Sequence, residues 1–389
     1  MRFQPDVSFG GDFGGDFGGA FAGRRVLLTG HTGFKGGWLA LWLARMGAHV
    51  TGIALPPEPG PSLFAACGLE DHVDSRIADI RDLSALQSQM AGTDPELLIH
   101  MAAQPLVRLS YAQPVETFST NVLGTAHVLQ LARAMPSLRA IVVVTSDKCY
   151  DNHEWVWGYR EADALGGADP YSASKGCTEI VAHAWRQSFF ADPDGPQLAT
   201  VRAGNVFGGG DWSADRLVPD IVRAATSGQV MEIRNPVSVR PWQHVLEPLA
   251  GYLTLAARLL DRGRGGARYA GAWNFGPDPS STVTVQELAQ SICAAWGCGG
   301  PSIAYHAPPQ PDEHTLREAG LLRLDSAKAR SSLGWSPRLT LDQAVGLTVE
   351  WYRAYADAAG MAELTLRQIE TYSEKMRAPL PAERVIAAQ

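Results

Sequence analysis

The stretch "RRVLLTGHTGFKGGWLALWLARMG", Arg24 to Gly47, joins a short apolar run to an amphipathic one through Gly30, Gly33 and Gly36. The first run reads as a buried strand, and the second carries apolar residues at helical spacing up to a terminating Gly47. A strand that feeds a helix through glycines leaves few folds open. Glycines there permit the tight turn, close approach of a phosphate to the backbone, and close packing of helix on strand. The same rhythm continues downstream. "AHVTGIAL", "ELLIHMAA" and "RAIVVVTS" read as further strands, separated by amphipathic segments such as "NVLGTAHVLQLARAM". This alternation specifies an α/β chain with a parallel, doubly wound sheet.

Past "LATVRAGNVFG" the rhythm loosens and Pro, Gly and Trp become frequent. Residues 24–205 are therefore expected to form a dinucleotide-binding domain. Residues 206–389 are expected to be mainly a smaller α/β substrate-binding region, parts of which return to the first core. Ahead of both, "FGGDFGGDFGGAFAG" makes residues 1–23 a flexible Gly-rich tail, or a docking segment through its evenly spaced phenylalanines. A net charge of −7 argues against a nucleic-acid surface. Five scattered cysteines lack CxxC pairing, so neither disulfides nor a metal site is indicated. No stretch is apolar enough to span a bilayer and no secretory pattern opens the chain, which gives a cytoplasmic expectation.

The strand "AIVVVTS" ends in Ser146, Asp147 and Lys148, where an open α/β sheet places its ligands. "PYSASKG" then sets Tyr171 and Lys175 four residues apart on one helix face, where an ammonium can lower the phenol's pKa toward that of a working base. In the glycine loop, His31 and Lys35 are either phosphate neutralisers or solvated loop residues. "ADIRD" offers Asp79 and Asp82 to an adenine edge, or an exposed pair. No acidic residue stands near the end of the second strand, where Ile53, Ala54 and Leu55 lie, so NAD and NADP are not distinguished there. His244, Trp38 and Trp42 read as packing residues.

Taken together, Gly30, Gly33, Gly36, Asn121, Ser146, Tyr171 and Lys175 resemble the extended short-chain dehydrogenase/reductases that act on nucleotide sugars. The Ser-Asp-Lys run, with "TGHTGFKGGWLALWL", "AAQPLVRLSY" and "VRPWQHVLEPL", is similar to the CDP-glucose branch of the nucleotide-sugar 4,6-dehydratases. That resemblance implies a Rossmann-like fold and NAD as cofactor. It places NAD against Gly30, His31, Thr32, Gly33, Phe34, Lys35 and Gly36, with Asp79 and Ile80 at the adenosine end. Ala102, Ala103, Gln104, Asn121, Thr145, Tyr171 and Lys175 complete that set. Gln104, Arg108, Ser146, Asn205, Arg216 and Arg240 are implied for the sugar nucleotide.

The chemistry implied is C4 oxidation through Tyr171, Lys175 and Ser146, followed by loss of water across C5 and C6. Asp147 and Lys148 divide the elimination as acid and base, or Lys148 acts as a cation on the enolate; a plain strand-end salt bridge is the bland alternative. The resemblance also implies a homodimer, or a tetramer, packed through the helices carrying Asn121 and Tyr171, and a place in deoxysugar synthesis for surface polysaccharide such as lipopolysaccharide O-antigen. "LREAGLLRLD" departs from the family, which tends to have His-Tyr at Gly320-Leu321, so cytosine contacts there stay open. Another nucleotide-sugar dehydratase, a 4-epimerase, and a catalytically silent dinucleotide-binding sensor are the competing readings.

Overall fold

The computed structural model describes residues 17–233, 235–261, 266–297, 300–306 and 321–378. The first half alternates strand and helix: β1 (Arg25–Thr29), α1 (Phe34–Arg45), β2 (His49–Ala54), α2 (Leu63–Ala66), β3 (Asp74–Ile77), α3 (Leu83–Met90) and β4 (Leu97–His100). Then follow α4 (Val107–Ala112), α5 (Pro114–Phe118), α6 (Gly124–Ala132), β5 (Ala140–Val144), α7 (Pro170–Phe189) and β6 (Gln197–Ala203). The second half holds β7 (Asn205–Phe207), α8 (Leu217–Ser227), β8 (Val230–Ile233), β9 (Val239–His244), α9 (Leu246–Leu260) and β10 (Gly271–Phe275). It closes with β11 (Thr282–Thr284), α10 (Val285–Trp296), β12 (Ser302–Tyr305), α11 (Leu341–Ala356) and α12 (Met361–Arg377).

Seven strands form one sheet in the order β10-β6-β5-β4-β1-β2-β3, and every pairing in it is parallel. β10, from the second half of the chain, supplies an edge strand. Alternate residues of each central strand enter different cores. Val26, Leu28, Leu97, Ile99, Val142 and Val144 face one layer, packed by α1, α9 and the C-terminal helices. Leu27, Leu98, Ile141 and Val143 face the other, packed by α3, α6 and α7. Burial on both faces explains the unbroken Val and Leu runs. The chain order reverses between β1 and β4, so a crevice opens beyond their carboxyl ends.

The expected flexible tail is corrected at its end. Phe17 to Gly23 folds back on α1: Phe21 is 1% exposed within the first core, and Phe17 meets Phe21 and Trp42 edge-on at 5.6 and 5.9 Å. Two aromatic rings there offset the glycine entropy that composition alone emphasised. The preceding residues 1–16 lie outside the described residues. Phe21→Ala is expected to lower stability by about 3–5 kcal/mol in urea titration; a change under about 1 kcal/mol would mean that the segment only rests on the surface.

Candidate active site

Gly30, at the end of β1, has φ +83°, and a Cβ there would stand 2.7 Å from the Ala102 nitrogen. A Cβ on Gly36 would lie 2.0 Å from the Gly30 carbonyl oxygen. Both positions therefore admit only glycine, and together they press the head of α1 onto the strand end. Gly33 is different. It is exposed, and the nearest atom to a Cβ there is the Gly30 oxygen at 3.5 Å. No side chain caps the first turn of α1 and no acid stands in it, so its backbone N–H groups and positive dipole end serve an anion. These residues fit a dinucleotide pyrophosphate. Thr32 donates to the Leu55 carbonyl at 2.9 Å and closes the loop on β2.

Both alternatives held for His31 fail. Its side chain is buried beneath Gly52, where a Cβ would come within 2.3 Å of the ring, and its Nε2 meets Ser75 Oγ at 2.7 Å. Burial lowers its pKa to about 4, so it is neutral and brings no charge to a phosphate. Lys35 is not a solvated loop residue either. Its ammonium lies 3.4 Å from the Tyr252 hydroxyl on α9, in the electrostatic reach of Lys175, Arg216 and Asp147.

At the end of β5 the chain turns through one short 3-10 turn, Asp147–Cys149, capped by Ser146, whose Oγ accepts from the Lys148 N–H at 3.2 Å. The same hydroxyl donates to Asp147 at 2.9 Å and is hydrogen-bonded to Tyr171. α7 starts sharply because Asp169 caps it and Pro170 occupies its first turn. Tyr171 and Lys175 then project from one buried face toward that strand end. Burial pushes the Tyr171 phenol up to about 12, while the Ser146 hydrogen bond and the Arg216 charge pull it back. Lys175 donates to the Val144 carbonyl at 3.4 Å, and burial brings its pKa down to about 8. Asp147 is also pushed up by burial, against the pull of Lys148, Ser146 and Arg240. A simple strand-end salt bridge would have drawn it down. The cleft therefore joins a protonatable acid, a hydroxyl pair and several cations.

The other expected ligand residues have these partners in the fold. Thr145 turns away and donates to Glu179 at 2.5 Å. Asn121 binds the Gln104 backbone through both its amide atoms and donates to Ser174 at 2.8 Å, which makes it a brace between the β4 end and α7. The Gln104 amide is likewise spent on Leu106 and Thr117. Asp79 grips Arg81 through paired bonds of 2.6–3.1 Å, Asp82 caps α3, and Ile80 is buried against Gly124. Arg108 pairs with Asp215 at 3.1 Å where both are exposed. The Gly208–Gly210 run is shaped by packing: Cβ atoms there would strike Val245, Trp351 and Leu63. Ala102 and Ala103 follow β4, Phe34 packs beside Gly208, and Asn205 begins β7, paired with Trp242. Arg216 heads α8 and acts on Tyr171, and Arg240 on β9 acts on Asp147. His244 and Trp38 are fully buried, as packing residues should be.

Sequence reasoning missed two groups. Glu179 pairs with Arg202 at 2.8 Å beneath the cleft, although its place four residues after Lys175 already put it on the catalytic face of α7. Tyr252 gave no signal, being one aromatic in an apolar helix. Gly320 lies outside the described residues.

Comparison with known proteins bears on the family and the fold. The model of the NAD dependent epimerase/dehydratase family matches residues 26–269. The chain is 49% identical over 354 residues to the CDP-glucose 4,6-dehydratase of Salmonella typhimurium, covering 90% of this chain and 96% of that one. A dTDP-glucose 4,6-dehydratase of Xanthomonas campestris is 27% identical, over 84% of this chain and 92% of its own. The dTDP-glucose 4,6-dehydratase of Streptomyces venezuelae, solved with NAD bound, superposes with a TM-score of 0.70 at 22% identity, covering 86% of this chain and 98% of that one, a likeness of fold. A matching family model over more than half of the chain, and a relative that shares nearly half of its residues along almost its whole length, settle the kinship: this chain belongs to the NAD dependent epimerase/dehydratase family.

Proposed function

We propose that the chain converts CDP-glucose to CDP-4-keto-6-deoxyglucose and water. The observation that carries the elimination is Asp147: a buried carboxyl, raised by desolvation, one residue from the Ser146 hydroxyl that also bonds Tyr171. An epimerase has no use for a proton donor at that place, and a dinucleotide sensor has no use for the Ser146–Tyr171–Lys175 set. The name of the Salmonella typhimurium relative, CDP-glucose 4,6-dehydratase, supports CDP-glucose as the sugar nucleotide.

Gly30, Gly33, Gly36 and the head of α1 would hold NAD, which when bound supplies the hydride acceptor for C4 and the donor for C6. Tyr171 takes the proton of the 4-hydroxyl, with Ser146 sharing the hydrogen bond. Lys175 is largely charged at neutral pH, since its pKa is about 8, and its ammonium favours the phenolate. Once C4 is a ketone the C5 hydrogen is acidic. Lys148 takes that proton and returns it to C5 when the hydride reaches C6, or holds the enolate as a cation while water carries the proton. Asp147, whose protonated form burial favours, gives its proton to the departing C6 hydroxyl. Arg216 and Arg240 reach into the cleft from α8 and β9, where guanidinium groups suit a diphosphate. The product class points to deoxysugar synthesis for surface polysaccharide.

We infer a homodimer as well. Val115 on α5, Leu123 in the turn after it and Ile180 on α7 are 74%, 55% and 58% exposed, and α5, that turn and α7 pack together. Such an apolar face on adjoining helices suits a second copy of the chain. Val115→Asp combined with Ile180→Asp is expected to halve the mass seen in sedimentation; a parent chain that sediments as a monomer would overturn the dimer.

Purified protein with CDP-glucose, dTDP-glucose, GDP-mannose or UDP-glucose should lose water, followed by mass, from CDP-glucose alone. Turnover without water loss would favour the epimerase. Asp147→Asn is expected to cut the rate about 10²–10⁴-fold. The folded-state pKa of Asp147 lies above its unfolded value, so its contribution to stability is present at low pH and lost as pH rises through that value. Asp147→Asn should therefore be at least as stable as the parent at pH 8. In the loop, Gly33→Ala should fold normally yet bind NAD more than about tenfold more weakly, whereas Gly36→Ala should also lower thermal stability; equal affinity in both would contradict the assignment of the loop.

A further inference from the structure

Lys35 is the ionisable side chain of the phosphate loop that can carry charge near neutral pH and that the mechanism leaves without a task. Its backbone lies in the first turn of α1, one residue before Gly36, yet its ammonium crosses to α9, 3.4 Å from the Tyr252 hydroxyl and 5.5 Å from that ring's centroid. The charges that act on it come from three other elements. Arg216 at the head of α8 and Lys175 on α7 oppose its protonation, and Asp147 after β5 favours it. Tyr252, held neutral by burial, brings only its hydroxyl. Burial outweighs all of these and lowers the Lys35 ammonium to about 7, so it exchanges its proton in the neutral range.

The side chain thus joins two places, the loop that receives a pyrophosphate and the face where Tyr171 and Lys175 meet the sugar. A dinucleotide with its phosphates at Gly33 and its reactive ring at that face has to pass alongside it. Resting on the reading above, we propose that Lys35 is a proton-exchanging partner of the bound nicotinamide, neutral opposite the cationic oxidised ring and protonated opposite the uncharged reduced one. As C4 is oxidised, its hydrogen leaves as hydride with two electrons to the ring, and the hydroxyl proton goes to Tyr171. Lys35 takes one proton from solvent as the ring's positive charge disappears. Return of the hydride to C6 restores that charge, and Lys35 releases its proton. A protonated Lys35 therefore stabilises the reduced state midway through turnover. The coupling is reciprocal: whatever charges Lys35 favours the reduced cofactor by the same factor.

The test is partition of cofactor rather than turnover. Protein is equilibrated with an excess of equimolar NAD+ and NADH from pH 6 to pH 9 without sugar, freed of unbound nucleotide, and the two retained forms are released and quantified. The retained NADH to NAD+ ratio is expected to fall about tenfold as pH rises, the factor for one unit of difference in the Lys35 pKa between the two cofactor states. Lys175 titrates in the same range, so the parent is compared with Lys35→Met, which should show less than about a twofold fall. Lys35→Arg, charged throughout, should favour NADH at every pH. A flat ratio in the parent, or an equal slope in Lys35→Met, overturns the proposal while leaving the dehydratase reading intact. Failure to retain either nucleotide at any pH would overturn both.

Discussion

The cleft rests on an ion pair that never reaches it. Glu179 and Arg202 meet through two bonds, of 2.8 and 2.9 Å, with side chains only 4% and 3% exposed. The remaining capacity of the carboxylate is taken by Thr145 and Thr200. Arg202 also donates to the Tyr150 hydroxyl, which bonds Asn274 on the edge strand β10. One charge pair thus ties the catalytic helix to the ends of β5, β6 and β10. Removing either partner would strand the other charge in an apolar layer, which costs about 3–5 kcal/mol. Because Tyr171, Lys175 and Glu179 share one face of α7, fixing the third fixes the height of the first two above the strand end.

Above that anchor, charge and solvation act in opposite directions on neighbouring groups. Burial is the largest influence on Asp147, Tyr171, Lys175 and Lys35 alike, raising the acids and lowering the amines. All four are thereby moved toward their uncharged forms. For Asp147 this acts against the neighbouring Lys148, whose charge favours the carboxylate. The proposed elimination needs a carboxyl that gives up a proton, and burial moves Asp147 in that direction.

The glycine loop, the parallel sheet and the Ser146–Tyr171–Lys175 set were legible because each depends on local order: glycines at a strand end, apolar runs, a four-residue helical spacing. Side chains whose role is set by distant neighbours were not. Asn121 and Gln104 looked like ligand contacts but satisfy each other, since a bend after β4 leaves backbone groups that need partners. Gly208–Gly210 are required by packing against Trp351, Leu63 and Val245, two of them far away in sequence. His31 looked basic, and only the space above Gly52 shows it to be neutral. Lys35 and Tyr252 stand 217 residues apart, a distance no spacing rule can bridge.

The aromatic layer around Trp42 has a consequence for how the chain is made. Trp42 is touched by Phe17 from one end of the described chain and by Tyr372 from the other, at 5.9 Å in each case. Phe17 and Phe21 are made long before the helix carrying Tyr372. Until that helix is made, the side of α1 that meets Tyr372 lacks that partner, although the sheet behind it can already have formed. Between the making of α1 and of α12 the nascent chain therefore carries a partly open tryptophan face, a natural landing place for a holding chaperone.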